Sequence, residues 1–103
     1  MDLINPLNQD ASEEQLLAAM NDAYSFPGMY PVVVIMRNEN ECRKRLEAAI
    51  TFFQDGDEYT ITERASSRGS YISFHVQIWV PDARSALERK EAFRTQAGVV
   101  GIL

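Results

Sequence analysis

The chain has 103 residues, of which 46% are hydrophobic, and its formal net charge at pH 7 is −5. This length suits one domain with a single core and is too short for two cores. No apolar stretch approaches the roughly 20 residues of a membrane-spanning helix, and the start MDLINPLNQD lacks the basic and apolar regions of a signal peptide. We therefore expect a cytoplasmic globular protein.

The single cysteine and the single histidine exclude two kinds of site within one chain. Cys42 has no partner for an internal disulfide, and together with His75 it cannot complete a Cys/His zinc site. No motif indicates a carboxylate metal site, so we expect neither a metal nor a cofactor. Cys42 lies in an apolar helical stripe, which favours a small core residue over a nucleophile that uses His75 as its base.

The negative charge is confined to the first quarter of the chain. Residues 1–25 contain five acidic side chains and no Lys or Arg, whereas residues 26–103 contain ten acidic and ten basic side chains. We therefore predict two parts, an acidic N-terminal arm (residues 1–25) and an electrically neutral domain (residues 26–103).

The arm is predicted to contain one helix that starts at Ser12. Ser12 and Gln15 have the spacing of a capping box. Apolar residues then follow at helical spacing, namely Leu16, Leu17, Met20 and Tyr24. Phe26-Pro27-Gly28 is expected to end the helix.

The first strand and the helix after it are predicted from two different patterns. Residues 30–36 are rich in β-branched side chains and apolar at both parities, which predicts a central strand that is buried on both faces. Asn38 is predicted to cap the next helix, with Glu41 at its third position, and Asp55-Gly56-Asp57 to stop it. One apolar stripe of this helix should face the core: Cys42, Leu46, Ala49, Ile50 and Phe53.

Two strands are predicted next. Residues 59–64 alternate weakly and carry charge, which is typical of an edge strand. The segment Tyr71–Val80 alternates strictly. Its core positions are Ile72, Phe74, Val76, Ile78 and Val80, and the opposite face has Tyr71, Ser73, His75, Gln77 and Trp79.

Pro81-Asp82 is predicted to start a further helix, with Gly98 as its C-terminal glycine and Val99-Val100-Gly101-Ile102-Leu103 as a last strand. The inward residues of this helix are predicted to be Ala83, Ala86, Leu87, Phe93 and Ala97. From residue 30 the elements follow the order strand, helix, strand, strand, helix, strand. This order predicts an α+β, ferredoxin-like βαββαβ fold, a four-stranded antiparallel sheet with two helices on one face, preceded by a helical extension.

The run Ser66-Ser67-Arg68-Gly69-Ser70 admits three interpretations: part of an RNA-binding signature, an anion-binding loop or a hairpin turn. In the RNA-binding signature of RRM domains the stacking aromatics share the parity of the leading basic residue, but here that parity from Arg68 carries the apolar core positions. A phosphate loop uses successive amides at a helix N-terminus, whereas Gly69 joins two strands. We favour a hairpin turn, with Arg68 left available for a small anion.

From Phe26 to Leu103 the sequence resembles the YbeD-like family of small bacterial proteins of unknown function. The resemblance rests on Phe26-Pro27 before the first strand, on the Ser66-Ser67-Arg68-Gly69-Ser70-Tyr71 hairpin with its alternating strand, and on the closing Val99-Val100-Gly101-Ile102-Leu103. It implies a ferredoxin-like fold similar to ACT-type regulatory domains, without an established activity or catalytic residues. Residues 1–25 lie outside the usual family span.

These patterns predict a noncatalytic regulatory or interaction module that acts through a small ligand or a protein partner. Its candidate face consists of Tyr71, His75, Trp79 and Arg68, and we expect the arm or a second copy of the chain to cover this face. One alternative is a small enzyme that uses His75 as general base, with Ser73 or Glu63 nearby. The other is a nucleic-acid-binding module, against which the lack of net positive charge argues.

The two helices of the domain are also predicted to form a locally positive surface. Its basic residues are Arg43, Lys44, Arg45, Arg84, Arg89, Lys90 and Arg94. The acidic arm helix could dock there through Glu13, Glu14 and Asp22, or it could instead extend a hydrophobic contact through Leu16, Leu17 and Met20.

Overall fold

The computed structural model describes residues 9–54, 56 and 58–103, and the side chains from residue 13 onward. Its elements are α1 (Gln9–Ala23), β1 (Gly28–Arg37), α2 (Cys42–Gln54), β2 (Tyr59–Ala65), β3 (Tyr71–Val80), α3 (Ala83–Arg94) and β4 (Val99–Ile102). The predicted helix stop after α2 falls partly on Asp55 and Asp57, which lie outside the described residues. Within the described part of the chain, no helix is long and apolar enough to cross a membrane.

The four strands form one antiparallel sheet in the order β2-β3-β1-β4. β1 pairs with β3 along its whole length, from Gly28 opposite Val80 to Arg37 opposite Tyr71. β1 and β3 are therefore the central strands and β2 is an edge strand, as predicted. With α2 and α3 packed on one face, the predicted α+β, ferredoxin-like fold is confirmed.

The core lies between the sheet and the helices. The inward residues of β3 are buried as predicted, and Phe74 and Ile78 have no exposed surface. The prediction that β1 is buried on both faces is wrong. Its inward residues are buried, but Val33 and Ile35 on the other face are only half-buried, because no other described element packs over that face.

Two helices begin at positions other than those predicted. α1 begins at Gln9, so Ser12 lies inside the helix and is not its cap. α2 begins at Cys42 instead of directly after Asn38, whose side-chain Nδ2 donates to the carbonyl oxygen of Gly69 at 2.9 Å. Glu41 takes a left-handed φ of 70°, and its carbonyl accepts from the Arg45 amide. The predicted stripe of α2 does face the core, with Cys42 buried.

The start of α3 was predicted correctly, but its end was not. Asp82 caps the helix, as predicted from Pro81-Asp82, and its Oδ1 accepts from the Ser85 amide at 2.8 Å. At the other end, α3 stops at Arg94, so Ala97 lies beyond the helix and is exposed. Gly98 is therefore not the helix-ending glycine but part of the turn into β4, where it adopts a φ of 87° that favours glycine.

α1 packs on the helical side of the sheet. Met20 is buried in the core cluster together with Tyr30 and Ala83, and the ring of Tyr24 lies 5.1 Å from that of Tyr30. Burial raises the pKa of Tyr30, and the nearby Tyr24 raises it further. Because α1 contacts α3, the prediction that the arm covers the opposite face of the sheet is wrong for its helix.

Candidate functional site

The open face is the side of the sheet that points away from the helices. Strand register, together with the alternation of side chains along each strand, assigns its residues. These are Met29, Pro31, Val33, Ile35 and Arg37 of β1, Thr60, Thr62 and Arg64 of β2, and Tyr71, Ser73, His75, Gln77 and Trp79 of β3. The sequence predicted the contribution of β3, whereas the contributions of β1 and β2 follow from the register alone.

An apolar strip crosses the open face. Trp79 lies opposite Met29, and Val33 and Ile35 follow further along β1. On the other side of β1, Leu103 exchanges backbone hydrogen bonds with Val33, and 70% of Leu103 is exposed. No described element covers this strip, so it presents a surface suited to contact with another molecule.

The predicted site residues share one face but do not converge. Tyr71, His75 and Trp79 alternate with the buried residues of β3, as predicted. They are four residues apart, however, and a strand rises about 3.3 Å per residue, so neighbouring members lie about 13 Å from each other. Arg68 lies at the Tyr71 end, where it lines a cavity of about 220 Å³ together with Tyr71 and the serines Ser66, Ser67 and Ser70.

The run from Ser66 to Ser70 forms a hairpin turn, as predicted. The Gly69 amide donates to the Ser66 carbonyl at 2.9 Å, and the Ser66 amide donates to the Tyr71 carbonyl at 2.8 Å. The Tyr71 amide donates to the Ser66 hydroxyl at 3.1 Å. Gly69 has a φ of 77°, which explains the need for glycine at this position. The two bonds that Asn38 makes to Gly69 and Ser70 hold the turn against the end of β1.

The residues named for the enzymatic alternative do not assemble. His75 is exposed on the open face, with Ser73 at the next position of the same face. Glu63 lies opposite Phe74, so its side chain points to the helical side, where it pairs with Arg43. In the parts of the chain that the structure describes, no three His, Cys, Asp or Glu residues are grouped so that they could hold a metal ion.

The helical surface carries less uncompensated positive charge than predicted. Arg43 pairs with Glu63 and Glu47, and its hydrogen bond to Glu63 raises the pKa of Arg43 above its ordinary value. The other ion pairs on this side are Lys44–Glu41 at 3.2 Å, Arg45–Glu39 at 3.4 Å, Arg94–Glu91 at 3.1 Å and Arg84–Glu13 at 3.7 Å. Most of the basic residues predicted to attract an acidic partner are thus paired within the domain, whereas Arg84 pairs with Glu13 of the arm helix, one of the contacts predicted for electrostatic docking.

Sequence reasoning missed Gln54, a polar residue at the end of α2 that is only 1% exposed. Its Nε2 donates to the carbonyl oxygens of Trp79 at 3.0 Å and Glu58 at 3.3 Å, and its Oε1 accepts from Arg89 at 2.9 Å. These bonds fix the end of β3 that carries Trp79. The position of Gln54 four residues after Ile50, on the buried stripe, was the signal that could have identified it.

The family relationship of the chain follows from its sequence. A family model described as a protein of unknown function (DUF493) matches residues 21–103. The chain belongs to the DUF493 family. None of the curated proteins matches it in sequence.

Solved structures resemble this DUF493 protein in fold. A solution structure of HP0495 from Helicobacter pylori has a TM-score of 0.66 at 18% identity, covering 78% of this chain and 85% of that one. A second solution structure of HP0495 has a TM-score of 0.53 at 19% identity, with coverages of 76% and 87%. An ACT domain from the GTP pyrophosphokinase of Chlorobium tepidum has a TM-score of 0.49 at 13% identity, with coverages of 73% and 94%. The HP0495 similarity supports the ferredoxin-like fold of this DUF493 chain.

Proposed function

We propose that this DUF493 protein is a noncatalytic interaction module whose open face binds a protein partner or a second copy of itself. The observation that carries the proposal is the apolar strip of Met29, Val33, Ile35 and Trp79, which no described element covers. The strip lies on a face of the sheet that no described element covers, and such an open surface suits a protein partner better than an enclosed small ligand. A regulatory role of the kind that the YbeD-like and ACT-like resemblances imply is part of the same proposal.

Trp79 provides a direct test because it is the only tryptophan of the chain and lies on the open face. Protein labelled with 5-fluorotryptophan would give one fluorine resonance, which reports on this face without interference from other sites. We expect the resonance to shift or broaden as the protein concentration rises, or on addition of an extract of the source cells. The first result would indicate a second copy and the second a different partner.

A matched pair of variants tests whether the partner binds the open face or another part of the surface. Thr62→Lys places a charge on the exposed edge of the open face, and Thr51→Lys places the same charge on the exposed helical side. We expect Thr62→Lys to abolish the change at Trp79 and Thr51→Lys to leave it intact. The proposal would be contradicted if the fluorine resonance of Trp79 changed neither with protein concentration nor on addition of the extract.

A further inference from the structure

Three arginines surround Tyr71 at the hairpin end of the open face. Arg37 lies directly opposite Tyr71, Arg64 lies opposite Ser73, and Arg68 lies in the turn. Side chains directly opposite one another in antiparallel strands have Cβ atoms about 5 Å apart, and diagonal neighbours are about 7–8 Å apart. Because an arginine side chain is long, the three guanidinium groups can reach a common volume beside the Tyr71 ring.

The charge of this cluster is not compensated by the described part of the chain. Arg37, Arg64 and Arg68 are exposed, and none forms a salt bridge with a described acidic residue. Acidic side chains of neighbouring segments pair with other basic residues. Glu39 pairs with Arg45, Glu41 with Lys44 and Glu63 with Arg43. The hairpin end is therefore a local positive region in a chain whose net charge is −5.

Hydroxyl groups adjoin Arg68 in the hairpin turn. Ser66, Ser67 and Ser70 line the cavity of about 220 Å³ together with Arg68 and Tyr71. The hydrogen bonds from Asn38 anchor the turn to β1, so these donors are held in place before a ligand arrives. The cavity is smaller than the roughly 300–1,000 Å³ of sites for drug-sized ligands. It has room for one anionic group and a small part of the molecule that carries it.

The chemistry of these groups identifies the class of ligand. Guanidinium groups bind phosphate through paired, charge-assisted hydrogen bonds, and serine hydroxyls add neutral donors. An extended polyanion would meet the negative charge of the rest of the chain, whereas a compact anion lies mainly within one Debye length, about 8–10 Å, of the arginines. We propose that Arg37, Arg64 and Arg68, around Tyr71, bind the phosphate group of a small phosphorylated molecule. This inference rests on the proposed function, because it assigns a ligand to the same module.

Titration of the isotope-labelled full chain with inorganic phosphate and with pyrophosphate tests the site. We expect saturable shifts of the backbone amide resonances of residues 67–71, with pyrophosphate binding more tightly. Arg64→Gln and Arg68→Gln should each weaken binding about tenfold or more, since hydrogen bonds to charged groups contribute on this scale. Arg84→Gln removes the same charge from the helical side and is the matched control, so it should leave the affinity unchanged.

Three results would overturn the phosphate site. The first is the absence of a saturable shift with either anion, and the second is equal weakening by Arg84→Gln. The third is tighter binding of a single-stranded oligonucleotide or an acidic peptide than of pyrophosphate. The fluorine resonance of Trp79 keeps the two proposals distinguishable, because Trp79 and Tyr71 lie about 26 Å apart along β3. If the proposal of a phosphate site is wrong, the response of the Trp79 resonance still tests the proposal that the open face binds a protein partner or a second copy.

Discussion

Phe74 and Ser73 are sequence neighbours whose side chains lie on opposite faces of the same strand. Phe74 has no exposed surface and belongs to the core cluster, while Ser73 lies on the open face. The positions at which an RRM signature would place its stacking aromatics are therefore buried against the helices, so β3 does not carry that signature in the phase that RNA stacking requires. The burial of single residues of β3 therefore shows which face of the sheet is turned towards the helices.

We expect Phe74→Ala to lower the free energy of unfolding by about 3–5 kcal/mol, because it leaves a cavity in the centre of the core. Ser73→Ala, which removes only a hydroxyl from the open face, should change it little. Urea denaturation followed by circular dichroism measures both variants. Equal losses of stability would show that the register of β3 is not the one described.

Asp82 links the stability of α3 to pH. The hydrogen bond from the Ser85 amide holds the pKa of Asp82 below its ordinary value. Because the folded pKa is lower than the unfolded one, the contribution of Asp82 is present above about pH 4 and is lost as the pH falls through the folded pKa. Asp82→Asn keeps a capping oxygen that does not titrate, whereas Asp82→Ala removes the cap at every pH.

Urea midpoints measured from pH 7 down to pH 2.5 test this linkage. We expect the stability difference between the wild type and Asp82→Ala to shrink as the pH falls below the unfolded pKa of about 4 and to be lost once the pH passes the lower folded pKa of Asp82. Asp82→Asn should lose less stability than the wild type over the same interval. A constant difference between the wild type and Asp82→Ala at all pH values would contradict the role assigned to the carboxylate.

At the scale of elements, α1 makes two kinds of contact with the domain. Met20 is buried in the core cluster with Leu17 packed beside it, and Glu13 forms an exposed ion pair with Arg84 at 3.7 Å. Exposed ion pairs contribute little, whereas a buried methionine contributes on the order of 2 kcal/mol or more. The hydrophobic contact therefore dominates the docking of α1, and removal of residues 1–25 would open the core as well as remove the acidic charge.

Amide hydrogen exchange of residues 13–24 at 0.1 M and 1 M salt separates the two contacts. The Debye length falls from about 10 Å to about 3 Å between these concentrations, which weakens exposed charge attraction and leaves apolar packing unchanged. We expect similar protection at both salt concentrations and much faster exchange in Met20→Ala. Glu13→Gln is the control and should exchange like the wild type. Loss of protection in 1 M salt would instead favour electrostatic docking.

At the scale of the whole molecule, the two faces of the sheet differ in both burial and charge. The helical side contains the core, and most of its surface arginines and lysines have acidic partners. On the open side, an apolar strip runs along β1 from Met29, opposite Trp79, to Ile35, and an arginine cluster without described acidic partners lies at the Tyr71 end. The formal net charge of −5 does not reveal this distribution, because it is the sum over both faces and the arm.

The order of the elements and the buried face of β3 could be predicted from the amino-acid sequence. Side chains alternate along a strand with a period of two, so the apolar positions Ile72 to Val80 specify the orientation of β3 without knowledge of its neighbours. The cap at Asp82 and the turn at Gly69 were also predictable, because each depends on contacts within a few residues.

Which side chains share a site depends on the pairing of distant strands. Arg37 and Arg64 join Arg68 and Tyr71 because β1 and β2 both pair with β3, and no local pattern encodes a register between strands so distant in the chain. The same limit applies to α2. The side chain of Asn38 donates a hydrogen bond to the carbonyl oxygen of Gly69, which lies 31 residues away in the chain. Asn38 therefore does not cap the helix that the local sequence predicts. Long-range hydrogen bonds can override local capping preferences, because they satisfy the same polar groups in a different way.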